Sequence, residues 1–452
     1  MATDYFGNAI SATDAAEVAA VRGFGQGLLA YELSLLEVLG IAERPEASAL
    51  TLSYVAILHL LSEAPEGPDN ARPFVERARA QLSSALPREV AFFAFAEAWV
   101  SGDIDLALQH SEALIAAFPR DLTTIKLRQY IDFNLGRFTE ILRIGLIAQS
   151  AAPEVAYVHG LVAFGYEQSH LLDEAEIAAR RAIEILPREP WAQHALAHVF
   201  LTKGRIIEGE AFLEERTPQW AGLNSFMYTH LWWHLALFKL SRGKLDEALA
   251  IYDQHVWGQD KTYSQDQVGA VALLARLELS GIAVGDRWTE LSGFLTARTA
   301  DVVEPFLSLQ YLYGLYRAGR PEAETLLQAI AHKATQATGP TRRAWADCAY
   351  PLAQAIAVDA QGKPSEAADH YRRGLPYISL IGGSHAQRDL FEQLYLKVLI
   401  DDGEWLGAQQ ILEGRRAYDP NGVPLNRLLA DIYTRLNLPS LAEAARQRIA
   451  MA

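Results

Sequence analysis

The chain predicts an all-α fold, a superhelix of stacked helical hairpins, and three observations carry that prediction. Gly102, Gly136, His170 and Gly204 stand 34 residues apart. Self-similarity at a fixed period of this length marks a solenoid of helix–turn–helix units. Pro119, Pro153 and Pro187 repeat the same 34-residue step, with Pro87 one slightly short step before them. No alternation of apolar and polar residues of the kind a strand needs is sustained anywhere.

Taken in order, residues 1–86 read as helical but irregular, broken by Pro65, Gly67 and Pro68. Residues 87–257 read as regular repeats. In each, a residue tolerant of positive φ closes the turn after the first helix. Five positions later a small residue lets the second helix approach: Ala107, Ala175, Gly209 and Ala248, with Ile141 the exception. Proline then stops the second helix, and the runs 87–89, 119–121 and 187–189 are near copies of Pro-Arg-acid. Between 258 and 350 the period blurs into irregular helical pairs, although 273–279 and 307–316 keep apolar-faced helical patterns. Residues 351–452 return to the repeat, with Gly362/Ala367, Gly403/Ala408 and Asn437/Ala442 at the same five-residue offset. Asn is the next residue after glycine to accept a left-handed turn. The expectation is a single α-solenoid domain over 1–452 of tetratricopeptide-like hairpins, whose repeat has this 34-residue length.

Half of the residues are hydrophobic, enough for a large core. No uninterrupted apolar run reaches 18 residues, so no membrane partner is expected. The N-terminal residues lack the basic start and apolar run of a signal peptide. Cys348 is the single cysteine, which fits a reducing, cytoplasmic location. The formal charge of −15 opposes phosphate backbones, and no nucleic acid partner is expected.

Three segments go beyond a generic repeat. They are Ile381-Gly382-Gly383-Ser384-His385-Ala386-Gln387-Arg388-Asp389-Leu390-Phe391-Glu392-Gln393, Trp191-Ala192-Gln193-His194-Ala195-Leu196-Ala197-His198-Val199, and His230-Leu231-Trp232-Trp233-His234-Leu235-Ala236-Leu237. Together with the start Tyr5-Phe6-Gly7-Asn8, they resemble the tetratricopeptide repeat protein 38 family over essentially the whole chain. The resemblance implies a closed, ring-like helical array and brings no assigned reaction. The chain departs from the family pattern at Leu201, where an acidic residue is expected, and at Ser308-Leu309-Gln310, where an Asp-x-His pair is expected. If those positions share a chemistry, this chain has altered or lost it.

The sharpest constellation is two histidine pairs at i, i+4, His194/His198 and His230/His234. That spacing puts both rings of a pair on one helix face. Repeat counting places His194, His198 and His230 toward the concave groove and His234 nearer the packing interface. All four are candidate catalytic residues, with His194 or His198 as general base at neutral pH. A metal reading stands beside this, because imidazole suits Zn, Cu, Fe or Ni. So does a structural one, of buried rings bonded to neighbouring carbonyls and acids. The sequence assigns no metal ligand and leaves the cofactor unknown.

Ser384 with Gln387 forms a capping-box pattern. His385, Arg388 and Asp389 in the same run are candidate ligand-binding residues, since a helix start with an arginine nearby suits an anion. Repeat counting adds Lys126, Tyr130, Tyr157, Glu167, Trp191 and Trp233 as groove-lining candidates. Such a mixture of aromatic and aimed polar groups suits a small-molecule pocket. The aromatic rings equally suit packing of the superhelix. The favoured function is therefore small-molecule binding in a histidine-rich groove, with hydrolysis of a small amide or ester as its chemistry. The alternative is a scaffold holding a peptide or protein partner.

Overall fold

In the computed structural model, which describes residues 1–451, those residues form 24 α-helices joined by turns, irregular stretches and short 3-10 or π-helical segments. The only β-type pairings among the described residues are the isolated bridges Thr3–Ala9 and Glu32–Leu223. The fold is all-α, and its helical hairpins have the tetratricopeptide-like form that the period predicts. No helix among the described residues is long and apolar enough to cross a membrane.

The turn residues behave as their period requires. Gly102, Gly136 and Gly204 have φ of +80°, +68° and +68°, and His170 enters the same left-handed region at +58°. Asn437 does so near the end of the chain, also at +58°. Helices Ile104–Ala117, Phe138–Ala151 and Leu172–Ile185 end just before Pro119, Pro153 and Pro187. Pro87 differs: it is the first residue of helix Pro87–Val100, which explains its short step. Ala107, Ala175 and Ala248 are fully buried at the close-approach position. At Gly209 any Cβ would collide with the Phe238 ring. Ile141 is tolerated because the close approach there falls one turn later. A Cβ on Gly145 would lie 3.2 Å from Val162 Cγ2.

The helices group into two compact units, 1–195 with 222–224, and 196–221 with 225–452. In the first, hairpins pair Ala49–Leu61 with Gly67–Ala80, Pro87–Val100 with Ile104–Ala117, and Ala156–Gln168 with Leu172–Ile185. Its core is aromatic: Phe24 stacks on Tyr54 at 3.9 Å, and Tyr54 meets Phe92 edge-on at 5.1 Å. In the second, Tyr350–Ala360 pairs with Pro364–Gly374 and Val423–Arg435 with Pro439–Met451. The period blurs after 258 because helix lengths vary there, from 16 residues in Ser264–Leu279 to 9 in Arg287–Leu295. A π-helical turn, Ala344–Ala349, then leads into Tyr350–Ala360.

Candidate functional site

The second unit gathers four of the chain's histidines. His198 comes from helix Pro190–Thr202, His230 and His234 from Ser225–Ser241, and His385 from the first turn of His385–Asp402. His198 and His234 are fully buried, His230 is 8 % exposed and His385 is partly buried. Ring centres lie 4.5 Å apart for His198 and His234, 4.8 Å for His230 and His234, and 5.2 Å for His198 and His385. His385 is fixed at its other side by Thr202 Oγ1, 3.0 Å from Nε2. Burial, with the His198 ring beside it, holds His230 down to about 3. Burial also pulls His234 well below its usual value, helped by His198, His230, His385 and Arg276. Both rings are therefore neutral at physiological pH. His234, which repeat counting puts nearer the packing interface, joins the cluster because helix Ser225–Ser241 carries it one turn beyond His230.

Trp233 packs against this cluster. It is 1 % exposed and lies parallel to His230 at 5.4 Å and 6°. The guanidinium of Arg276 sits 5.3 Å above its ring. Arg276 is buried, and that burial lowers its pKa to about 10 even with Asp389 nearby. It donates to the carbonyl of Ala386 at 2.8 Å and of Ala272 at 3.1 Å, and approaches Asp389 at 4.0 Å. Burial pushes the Asp389 carboxyl up, but Arg415 and Arg276 outweigh it and bring it to about 2. Asp389 also binds Gln393 at 2.5 Å. The capping box is formed as expected, with Ser384 N donating to Gln387 Oε1 at 2.9 Å and Gln387 N to Ser384 Oγ at 3.3 Å. Arg388 turns its guanidinium back onto the carbonyls of Gly383 and Gly382. It thus clamps the turn whose positive φ, +78° and +72°, those glycines supply.

A second polar cluster lies within the first unit. Lys126 Nζ donates to Tyr31 Oη at 2.5 Å and stands 4.0 Å above the Trp191 ring. Trp191 stacks on Tyr31 at 5.4 Å and on His194 at 4.5 Å, and His194 also meets Phe164 at 5.5 Å. Glu189, fully buried, accepts from the backbone of Trp191 at 3.2 Å and of Ala192 at the start of their helix. Burial lowers Lys126 to about 7 despite the charge of Glu189, and raises Glu189 to about 8 despite those hydrogen bonds. One turn after Lys126, Tyr130 donates to Glu63 at 2.7 Å. Tyr31 and Glu63 both hold left-handed backbone, at φ +58° and +53°. His170 and Asn437 hold the same conformation in the repeat turns, and Tyr31 takes it as the C-cap of helix Ala15–Ala30. Tyr157 is buried, which pushes its hydroxyl pKa up. Glu167 is fully buried and accepts from Gln168 at 2.6 Å.

Sequence reasoning missed Tyr31, Glu189 and Arg276. Glu189 was hidden in a repeated turn. Arg276 had a usable signal, as the only charge in the apolar run 270–277. At the departures from the family pattern, Ser308 is buried and donates to the carbonyls of Asp301 and Glu304 at 2.8 and 3.0 Å. Gln310 is fully buried, and neither amide atom makes a hydrogen bond with a described residue. A shallow cleft of about 620 Å³ lies elsewhere in the first unit, lined by Pro119, Arg143, Leu146, Ile147, Ser150 and Ala151. It contains none of the predicted site residues.

Fold and site together define an all-α helical-hairpin protein with a buried histidine cluster. No family model matches the chain. Among solved structures it is similar to a human IFIT1 dimer with m7Gppp-AAAA, at 12 % identity and a TM-score of 0.43, covering 88 % of this chain and 90 % of that one. It is similar to a human IFIT1 dimer with PPP-AAAA at 14 % identity and 0.41, covering 94 % of each. It is also similar to Naa15/Naa10 bound to HypK-THB, at 13 % and 0.26, covering 95 % of this chain and 67 % of that one.

Proposed function

We propose that this chain is a cytoplasmic small-molecule-binding member of the tetratricopeptide repeat protein 38 family, with its ligand site at the histidine cluster of the second unit. The observation that carries this is the meeting of buried His198, His230 and His234 with partly buried His385, beside Trp233 and Arg276. An aromatic wall next to a few aimed polar groups is how small-ligand sites are built. Hydrolysis of a small amide or ester is the chemistry that suits it. A neutral imidazole takes the proton from water as it attacks the carbonyl, and Arg276 offers positive charge to the developing oxyanion. The charge of −15 weighs against a nucleic acid partner.

The test is turnover of small chromogenic esters and anilides by the purified chain and by His198→Ala and His234→Ala, with circular dichroism as the folding control. Turnover lost in both folded variants supports hydrolysis. Turnover equal in wild type and variants removes it and leaves a binding site without chemistry, or a peptide or protein partner.

A further inference from the structure

We propose that His198, His230 and His234 hold a single late first-row divalent cation, of the zinc class. This rests on the same cluster as the ligand site above and gives that site its central atom. One ring nitrogen from each of the three lies within 4.8 Å of the others. A metal bound at about 2.0–2.1 Å to three imidazoles sets its nitrogens about 3.4 Å apart.

Three structural features point the same way. His230 and His234 are one helical turn apart on Ser225–Ser241, so they present two ligands from one rigid element. His198 arrives from a separate helix and closes the triangle at 4.5 Å, ring centre to ring centre, from His234. The trio contains no carboxylate and no thiolate, which selects zinc, copper, nickel or cobalt over magnesium or calcium. The His230 ring is held in place by the parallel face of Trp233. Such outer-shell support keeps a ligand ring oriented.

Arg276 is the feature that opposes a cation here. Its charge is partly balanced by Asp389 at 4.0 Å, and its guanidinium lies over Trp233. Beside a bound metal, Arg276 would favour an anionic or carbonyl group at the fourth coordination position. Three histidines and one open position are the arrangement that lets zinc act as a Lewis acid or activate water. His385, 5.2 Å from His198, stands close enough to meet a molecule bound there.

The test uses metal alone. Chelator-stripped protein is titrated with Co²⁺ and followed by visible absorption, and the zinc-loaded wild type is examined by X-ray absorption for imidazole scattering. The expected result is one equivalent of cobalt with the intense d–d bands of a four-coordinate site, and a zinc shell containing three imidazoles. His198→Ala and His234→Ala should weaken binding by more than the roughly 10–100-fold that losing an outer hydrogen-bond partner costs. Absence of the cobalt bands in wild type overturns the proposal whether or not the variants fold, and so does a zinc shell without histidine. Metal bound as expected but without ester or amide turnover supports the metal site and removes only the hydrolytic reading.

Discussion

The ring centre of His198 lies 4.5 Å from that of His234, both fully buried, although 36 positions separate them in the chain. That contact brings two helices' chemistry to one point and ties the second unit's packing to its site. Trp233, which precedes His234 and lies parallel to His230, reports on the same place. A ligand or metal at the cluster should change tryptophan emission, and Trp233→Phe should remove that change while the other eight tryptophans remain. A fluorescence titration of both proteins checks this.

Glu210 is a charge hub. It meets Lys239 at 2.7 Å, Arg242 at 2.7 Å and Lys244 at 2.6 Å, and Lys239 is further met by Glu214 and Glu247 at 2.5 and 2.6 Å. Burial pushes the Glu210 carboxyl up, but the three cations win and hold it at about 2, against an ordinary 4.5. The folded state therefore binds this proton more weakly than the unfolded state does. Its stabilisation is full above about pH 4.5 and is lost as pH falls through about 2. Glu210→Gln should cost about 3–5 kcal/mol at pH 7, because Lys239 stays buried with less charge to answer it. Its acid limb should also be flatter than wild type in urea melts between those pH values.

Lys126 makes no ion pair within 4.0 Å among the described residues, and burial lowers its pKa to about 7. A site kept at the expense of stability should gain stability when the charge is removed. Lys126→Met should raise the urea midpoint by about 1 kcal/mol or more in free energy, with an unchanged slope. Destabilisation instead would identify Lys126 as part of the packing of the first unit.

Gly209 faces the Phe238 ring with no room for a methyl group. Gly209→Ala should destabilise the chain by about 1–3 kcal/mol through overpacking. Gly102→Ala meets nothing within 4 Å and pays only for its φ of +80°. It should cost about 1–2 kcal/mol. Thermal melts of the two separate a packing penalty from a backbone one.

Gln310 is fully buried with both amide atoms lacking a hydrogen bond to a described residue. Removing an unsatisfied buried polar group relieves its desolvation penalty. Gln310→Leu should stabilise by about 1–2 kcal/mol, measured by chemical denaturation.

The hairpin architecture was legible because its requirements are local. A left-handed turn selects Gly102 or Asn437, and a close helix crossing selects Ala107 or Gly209, at offsets that repetition makes visible. The candidate sites were legible only where their residues shared a helix, as with His230 and His234. The approach of His198 to His234, of Arg276 to Trp233 and of Tyr31 to Lys126 depends on packing between helices far apart in sequence. No spacing rule encodes those approaches. Arg388 shows a further case: its place at a helix start suggests an anion, and packing adds what no spacing encodes, a guanidinium that donates to the carbonyls of Gly382 and Gly383.

The most direct measurement is native mass spectrometry of the purified chain after exposure to a small-molecule cell extract, set against its denatured mass. The histidine cluster as a ligand site predicts an added mass of a metal ion, a small organic compound or both, absent from folded His198→Ala and His234→Ala. A wild-type mass equal to that of the bare polypeptide, or an added mass that both variants retain, would contradict it.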